Sequence, residues 1–365
     1  MDGGLLLAPR FHLRVRQFAR APTRSVRKRP EAVPPRPLSS RDKHPAPTIF
    51  HPMRFSTDPT LDPPETVQIG IDLGGTKTEA IALASATVVA ARRRRPTPHD
   101  YAATLDAIAG LVAELESETG RTATVGVGIP GVVTRATGLV KNANSTWLIG
   151  RPLQADLEAR LARPIRVAND ANCFTLSEAI DGAGQGSETV FGVILGTGVG
   201  GGIAIRQRIH DGPNQVAGEW GHNPLPWMTD EERSSAPPCY CGKSGCIETF
   251  LSGPGFELDY ARLGGARRSS PDIVRAAAAG DPQAIQARRR YEDRLARGLA
   301  AVINLLDPDA IVLGGGMSNL PDLPAAVSAL LPRYVFSDTV LTKVLPNAHG
   351  DSSGVRGAAW LWPSR

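Results

Sequence analysis

The feature that most constrains the fold of this chain is a strand, a glycine turn and a returning strand, found once in each half. The first such unit lies at 67–89, with its turn at Gly74-Gly75. The second lies at 189–205, and its glycines occupy 196–202. Short apolar runs interrupted by glycine are typical of strands joined by tight turns. A supersecondary unit that recurs in both halves predicts two related lobes.

Helical patterns alternate with further strands around these two units. At 101–119 apolar residues recur with the period of a helix, and Asp100 and Gly120 are suited to begin and end it. The other predicted elements are strands at 123–129, 165–168 and 310–313 and helices at 171–180 and 282–306. Strands alternating with helices predict an α/β protein.

The first 65 residues differ in composition from the rest of the 365-residue chain. Residues 1–54 hold 12 Lys or Arg against 3 Asp or Glu, so the net charge of +5 becomes −4 for the remainder. Many prolines interrupt this segment, which predicts a disordered, basic, Pro-rich extension at 1–65. Its arginines resemble a transit peptide, but Met53 favours an upstream-extended reading frame.

Removal of residues 1–52 should leave the activity and thermal stability of the protein unchanged, because the segment offers no core to the folded part. Thermal melts and steady-state rates of the truncated and full chains measure this. Loss of folded protein on truncation would refute the prediction.

The first glycine turn has the composition of a phosphate-binding loop. Asp72 ends the strand, the turn Gly74-Gly75 follows, and Thr76 and Lys77 come next. Backbone N–H groups at such a turn converge on anions, and a hydroxyl and an ammonium group suit phosphate. The loop is not a P-loop, because its lysine falls one place late.

Two further glycine turns follow buried strands. Gly196, Thr197 and Gly198 open a segment that formally contains the G-x-G-x-x-G pattern of dinucleotide sites, but a strand follows where that motif needs a helix. We therefore interpret it as a second phosphate loop. The third turn comprises Gly314, Gly315 and Gly316, and its flat backbone suits the approach of a planar base.

Between the two phosphate-type loops, Asn169 and Asp170 lie at a strand end that precedes a helix. Alone, the pair would be a helix cap. Between two phosphate loops, Asp170 is placed to accept the proton of a hydroxyl that attacks phosphorus.

A cluster of cysteines and one histidine predicts a metal site. His222, Cys239, Cys241 and Cys246 supply a closed Cys3His set, in which zinc is structural. The carboxylates of Glu219 and Glu248 flank this set and are suited to hydrogen bonds with vicinal hydroxyls. Three of the four cysteines lie in this cluster, and such clustering is typical of metal binding in a reducing compartment.

These motifs resemble those of the ROK (repressor, open reading frame, kinase) family. The resemblance rests on Leu195 to Ile203, Gly218 to His222 and the Cys-x-Cys-Gly-x-x-Gly-Cys-x-Glu stretch at 239–248, and covers about 67–363. Within the family, the runs at 141–147, 218–227 and 350–362 look like the manno(fructo)kinase branch. An insertion between His222 and Cys239 fits that branch as well.

The resemblance implies an α/β, actin-like (ribonuclease H-like) ATPase fold with two lobes around a nucleotide and sugar cleft. We expect the small lobe at 66–169 plus 348–365 and the large lobe, with the zinc loop, at 170–347. It implies ATP with Mg²⁺, a structural Zn²⁺ and a homodimer. The implied roles are Asp170 as catalytic base and sugar contacts from Asn144, Asn169, Asp170, Glu219, His222 and Glu248.

The implied activity is phosphorylation of a hexose, with D-fructose as the expected substrate and mannose as a possible second one. The alternatives are a glucose or N-acetylglucosamine kinase of the same family, or a non-catalytic sugar-sensing regulator. Family repressors carry an N-terminal DNA-binding domain that cannot be built from residues 1–54, so no nucleic-acid partner is expected. No run of about 18 apolar residues exists, so we expect no membrane association and a cytoplasmic enzyme.

Overall fold

The computed structural model describes residues 67–85, 88–143 and 145–362, so the predicted extension lies outside the described residues. The strands are β1 Gln68–Leu73, β2 Lys77–Leu83, β3 Val89–Pro96, β4 Thr124–Ile129, β5 Val132–Val133, β6 Val140–Lys141, β7 Ile165–Asn169, β8 Thr189–Leu195, β9 Val199–Ile205, β10 Arg208–Ile209, β11 Ala310–Gly314 and β12 Lys343–Pro346. The α-helices are α1 Tyr101–Thr119, α2 Leu153–Leu161, α3 Asp170–Ile180, α4 Asp230–Ser234, α5 Ile247–Leu251, α6 Gly253–Arg262, α7 Ser270–Ala278, α8 Pro282–Leu306, α9 Leu323–Leu330 and α10 Ser353–Ala359.

Two five-stranded sheets share one topology. The first has the order β3-β2-β1-β4-β7, and the second has the order β10-β9-β8-β11-β12. In each sheet the central strand pairs antiparallel with the hairpin strand after it and parallel with the strand on its other side. This shared pattern confirms the predicted two related lobes and the two-lobed, actin-like α/β fold. The exact domain boundaries given above remain a prediction.

The return strand of the first hairpin differs from the sequence prediction. A single run at 79–89 was expected, but β2 ends at Leu83 and β3 carries the chain on through four consecutive arginines, Arg92–Arg95. These arginines alternate sides, as strand residues must. Arg92 and Arg94 pair with Glu79 on β2, whereas Arg93 and Arg95 pair with glutamates of α1. Ion pairs with glutamates of β2 and α1 therefore stabilise β3, in which apolar and polar residues do not alternate.

The second glycine turn is shorter than predicted. Gly200, Gly201 and Gly202 belong to β9, where they pair with β8, and the turn itself is confined to 196–198. The reason is close packing of the helix α3 and of Trp220 on this strand. A Cβ at Gly202 would lie 2.5 Å from Thr175 Oγ1, and one at Gly201 would lie 2.9 Å from the Trp220 ring. Glycine here serves a close approach and not only a turn.

Several predicted helices are confirmed with their ends. The Asp100 side chain accepts a hydrogen bond from Ala103 N at the start of α1, and Gly120 adopts a left-handed conformation at its end. The long helix α8 spans the predicted 282–306. None of the helices in the described ranges is both long and apolar enough to cross a membrane.

Helices α3 and α10 pack on each other next to the sheets. A Cβ at Gly357 of α10 would lie 1.6 Å from the Cys173 carbonyl oxygen of α3, so only glycine allows this crossing. Farther along, Arg356 pairs with Asp181, and the Trp360 indole donates to the same carboxylate at 3.0 Å. Helix α10 also packs on β1 and β4. Its crossing with α3 therefore fixes the amino terminus of α3 relative to these two strands.

Buried ion pairs hold the segment between His222 and Cys239. Glu232 on α4 accepts hydrogen bonds from Arg294 at 2.8 Å and from Arg297 at 2.8 Å, both on α8. These hydrogen bonds lower the pKa of Glu232 to about 2, against the opposing effect of its burial. Thr229 and Glu232 also form a capping box at the start of α4. The insertion is therefore anchored to α8 at a fixed point.

Candidate active site

The carboxylate of Asp72 lies at the carboxyl end of β1, beside the first glycine turn. Burial, followed by the charges of Asp170 and Glu79, raises its pKa to about 7, while Lys77 acts in the opposite direction. Gly74 N donates to the Lys77 carbonyl at 3.1 Å, which closes the turn. The structure therefore places Asp72 and the predicted phosphate loop 74–77 in one electrostatic environment with Asp170.

Asn169, not Asp170, caps the helix α3. The Asn169 side-chain oxygen accepts from Ala171 N at 2.9 Å, and its amide nitrogen donates to the Gly131 carbonyl at 3.4 Å. Asp170 is the first residue of α3, and its Oδ1 accepts from Ala171 N at 2.8 Å. Burial and then the Glu219 charge raise the pKa of Asp170 to about 6, although the Ala171 amide opposes this shift. The helix cap that the sequence suggested for this pair is therefore formed by Asn169.

The second and third glycine turns lie side by side at the ends of two adjacent parallel strands, β8 and β11. Gly315 has a φ of 82°, and a Cβ there would lie 2.4 Å from the Leu195 carbonyl oxygen. Gly253 N, at the start of α6, donates to the Gly196 carbonyl at 2.8 Å. The close approach at Gly315 packs the third turn on the end of β8, and the Gly253 bond joins the turn at 196–198 to α6.

Parts of these turns leave their backbone open to a ligand. A Cβ built at Gly75, Gly196 or Gly316 would meet no atom within 4 Å. Peptide groups that face open space at strand ends can be approached by phosphate or by a planar base. The glycine turns therefore fit a nucleotide.

The predicted metal ligands are brought together. The ligand atoms of His222, Cys239, Cys241 and Cys246 all lie within 4.8 Å of one another. His222 Nδ1 is 3.6 Å from Cys239 Sγ, and the sulfurs of Cys241 and Cys246 are also 3.6 Å apart. Sulfur and imidazole donors at these separations suit a tetrahedral zinc ion, whose Zn–S bonds are about 2.3 Å. The residues present therefore fit zinc.

The two flanking carboxylates occupy different positions. Glu248 lies on α5, and its Oε2 accepts from Val199 N at 3.0 Å, which ties it to the second glycine turn. Glu219 precedes a 3₁₀ turn at Trp220–His222 and is exposed. Glu219 also acts on Asp170, so this carboxylate connects the metal cluster with the predicted base.

One predicted residue and two unpredicted ones complete the description of the site. Asn144 lies outside the described residues. The sequence analysis missed Glu79, which shares a row of paired residues across the sheet with Asp72 and Arg94. It also missed Tyr240, whose position between two predicted zinc ligands was an available signal.

Comparisons with known proteins find sugar kinases. Over 296 residues the chain is 41% identical to an N-acetyl-D-glucosamine kinase of Vibrio vulnificus (strain YJ016), which covers 80% of this chain and 98% of that protein. A ROK hexokinase from Thermus thermophilus is 28% identical with a TM-score of 0.72, over 80% of this chain and 97% of the other. A ROK family glucokinase from Streptomyces griseus, in complex with glucose and AMPPNP, is 28% identical with a TM-score of 0.65, over 81% and 98%.

The family model of the ROK family matches residues 68–365, which includes every described residue but the first. The match spans both sheets, the three glycine turns and the Cys3His cluster. This chain therefore belongs to the ROK family.

Proposed function

We propose that the protein is an ATP-dependent sugar kinase whose preferred substrate is N-acetylglucosamine. The observation that supports transfer of phosphate best is the position of Asp170. It is a buried carboxylate at the start of α3 that shares an electrostatic environment with Asp72 and Glu219 and is not used as the helix cap.

Asp170 accepts the proton of the attacking sugar hydroxyl. With a pKa of about 6, most of the carboxylate is ionised at neutral pH and remains a better base than an exposed aspartate. Phosphoryl transfer has a loose transition state, so the base orients the hydroxyl and takes its proton late. Asn169 holds the backbone of this turn through its bonds to Ala171 N and Gly131 O.

The glycine turns bind the nucleotide, with 74–77 and 196–198 at the phosphates and 314–316 at the base. When ATP binds, Mg²⁺ supplies charge neutralisation at the phosphates. Asp72 would lie toward that charge, and Lys77 is close enough to lower the pKa of Asp72. A neighbouring cation would keep Asp72 ionised at neutral pH.

His222 and the three cysteines would hold zinc in a structural role. Ligands shared between the 3₁₀ turn at Trp220–His222 and the loop that precedes α5 would keep Glu219 and Glu248 in position. His222 turns Nδ1 toward Cys239, which leaves Nε2 directed away from the cluster. We assign sugar contacts to Nε2, to the two glutamates and to Asn144, Asn169 and Asp170.

The comparisons favour a preferred sugar that differs from the one expected from the sequence. Fructose was expected from the resemblance of three short runs to the manno(fructo)kinase branch. The similar proteins at 39% to 41% identity are N-acetyl-D-glucosamine kinases that align over 98% of their length. N-acetylglucosamine, one of the alternatives, is therefore favoured over fructose. A homodimer remains a prediction.

We expect N-acetylglucosamine to give the highest kcat/KM among N-acetylglucosamine, glucose, mannose and fructose, at least about tenfold above fructose, since a site built around specific polar groups rejects sugars that leave those groups unpaired. ADP release at saturating Mg·ATP, with each sugar varied, measures the ratios. Equal or better use of fructose would return the assignment to fructokinase.

A further inference from the structure

Tyr240 is an aromatic residue at the site for which neither the family motif nor the proposed mechanism has a use. It lies between Cys239 and Cys241, and the loop around it is closed by hydrogen bonds from Cys239 N to Lys243 O at 2.7 Å and from Gly242 N to Cys239 O at 3.0 Å. Its side chain is 84% exposed. An exposed aromatic ring held on a constrained loop is apolar surface available for a ligand.

The tip of this side chain is engaged even though the ring is exposed. The Tyr240 hydroxyl is 2.9 Å from His222 Nε2, and the two rings meet edge to face, with centroids 5.1 Å apart. Tyr240 thus contacts His222 Nε2, one of the groups that we assign to sugar hydroxyls.

His222, Glu219 and Glu248 act through hydrogen bonds, so they cannot recognise the apolar parts of a sugar. N-acetylglucosamine differs from glucose by an acetamide in place of one hydroxyl, and the acetamide ends in a methyl group. Moving a methyl group from water onto an aromatic face is favourable. Tyr240 supplies such a face next to His222.

We propose that Tyr240 is a specificity-determining residue whose ring packs against the 2-acetamido group of the sugar. The inference rests on the proposed function, because it concerns the sugar held at that site. In the absence of sugar, the bond to His222 keeps the ring in place. When sugar binds, a sugar hydroxyl takes over His222 Nε2 while the ring stays beside the acetamide.

Two variants separate the ring from its hydroxyl. Tyr240→Ala should raise KM for N-acetylglucosamine by about tenfold and KM for glucose by less than about threefold, because only the acetamide loses its apolar contact. Tyr240→Phe should keep both values within about threefold of wild type. KM for ATP and the zinc content should stay unchanged in both. Phe336→Ala, which removes a ring that is 98% exposed near α8, is the matched control.

Steady-state kinetics with each sugar and with ATP, together with metal analysis, decide the matter. Equal losses on the two sugars, no loss on either, or a Phe variant as impaired as the Ala variant would overturn the inference. A raised KM for ATP or lost zinc in Tyr240→Ala would show a structural role and overturn it as well. The wild-type preference for N-acetylglucosamine over glucose tests the proposed function separately, since it involves no Tyr240 variant.

Discussion

Replacement of Asp170 by asparagine should lower kcat by at least about 100-fold while KM for the sugar changes by only a few-fold. General-base catalysis typically contributes about 10² to 10⁴-fold, and asparagine keeps the size of the side chain but cannot accept a proton. The fold should persist, because Asn169 provides the main cap of α3 through Ala171 N and Asn172 N.

The matched control for Asp170→Asn is Asn169→Ser, which exchanges one good helix cap for another. This control should leave the α3 start intact and affect KM more than kcat, since Asn169 is assigned to binding. Steady-state kinetics, with circular dichroism to verify folding, measure both variants. A folded Asp170→Asn protein with near-normal kcat would identify Asp170 as a second cap and not as the base.

The same carboxylate should set the acid limb of the pH profile. Because its pKa is raised to about 6, kcat/KM should fall about tenfold per pH unit below pH 6, as protonation removes the base. In Asp170→Asn this limb should disappear from the residual activity. A wild-type profile that is flat down to pH 5 would contradict the assignment.

Cys246→Ser should remove zinc and lower thermal stability together, with zinc falling from about one ion per chain to almost none. Cys246 is buried and directly precedes α5, so loss of the ion frees both the loop and the start of that helix. A closed metal site couples binding to local folding, and a loss of about 2 kcal/mol corresponds to a Tm decrease of roughly 4 to 8 °C in a domain of 150 to 250 residues. Because Glu248 lies on α5, KM for the sugar should rise as well.

Cys173→Ser is the matched control for the zinc prediction. Cys173 is also buried, but it lies on α3 and is not part of the cluster. This variant should retain one zinc per chain. Metal analysis and thermal melts of both variants suffice, and a stable, active wild-type protein that contains no zinc would rule out the metal site.

Much of the fold follows from local sequence signals. The ends of α1 could be predicted from Asp100 and Gly120, because a cap acts over a few residues. The paired arginines of β3 could not, because Glu79 and the glutamates of α1 become partners only after folding. The same holds for Gly201 and Gly202, whose strand conformation depends on how closely Trp220 and α3 approach.

The candidate site shows a similar division. The Cys3His set is compact in sequence, apart from His222, and its spacing alone predicts the cluster that the structure forms. The division of labour between Asn169 and Asp170 could not be read from two adjacent residues that are both good caps. Tyr240 was missed although its place between two predicted zinc ligands was a signal, because its 2.9 Å contact with His222 appears only in the folded structure.

The most direct test of the central claim is sugar-dependent release of ADP from Mg·ATP by the full chain, with the product examined by phosphorus NMR. The proposed function predicts almost no ADP release with ATP alone and rapid release after addition of N-acetylglucosamine, accompanied by one new phosphomonoester signal. ADP release that no hexose or N-acetylhexosamine increases, from a folded protein with its zinc bound, would contradict the assignment of this chain as a sugar kinase.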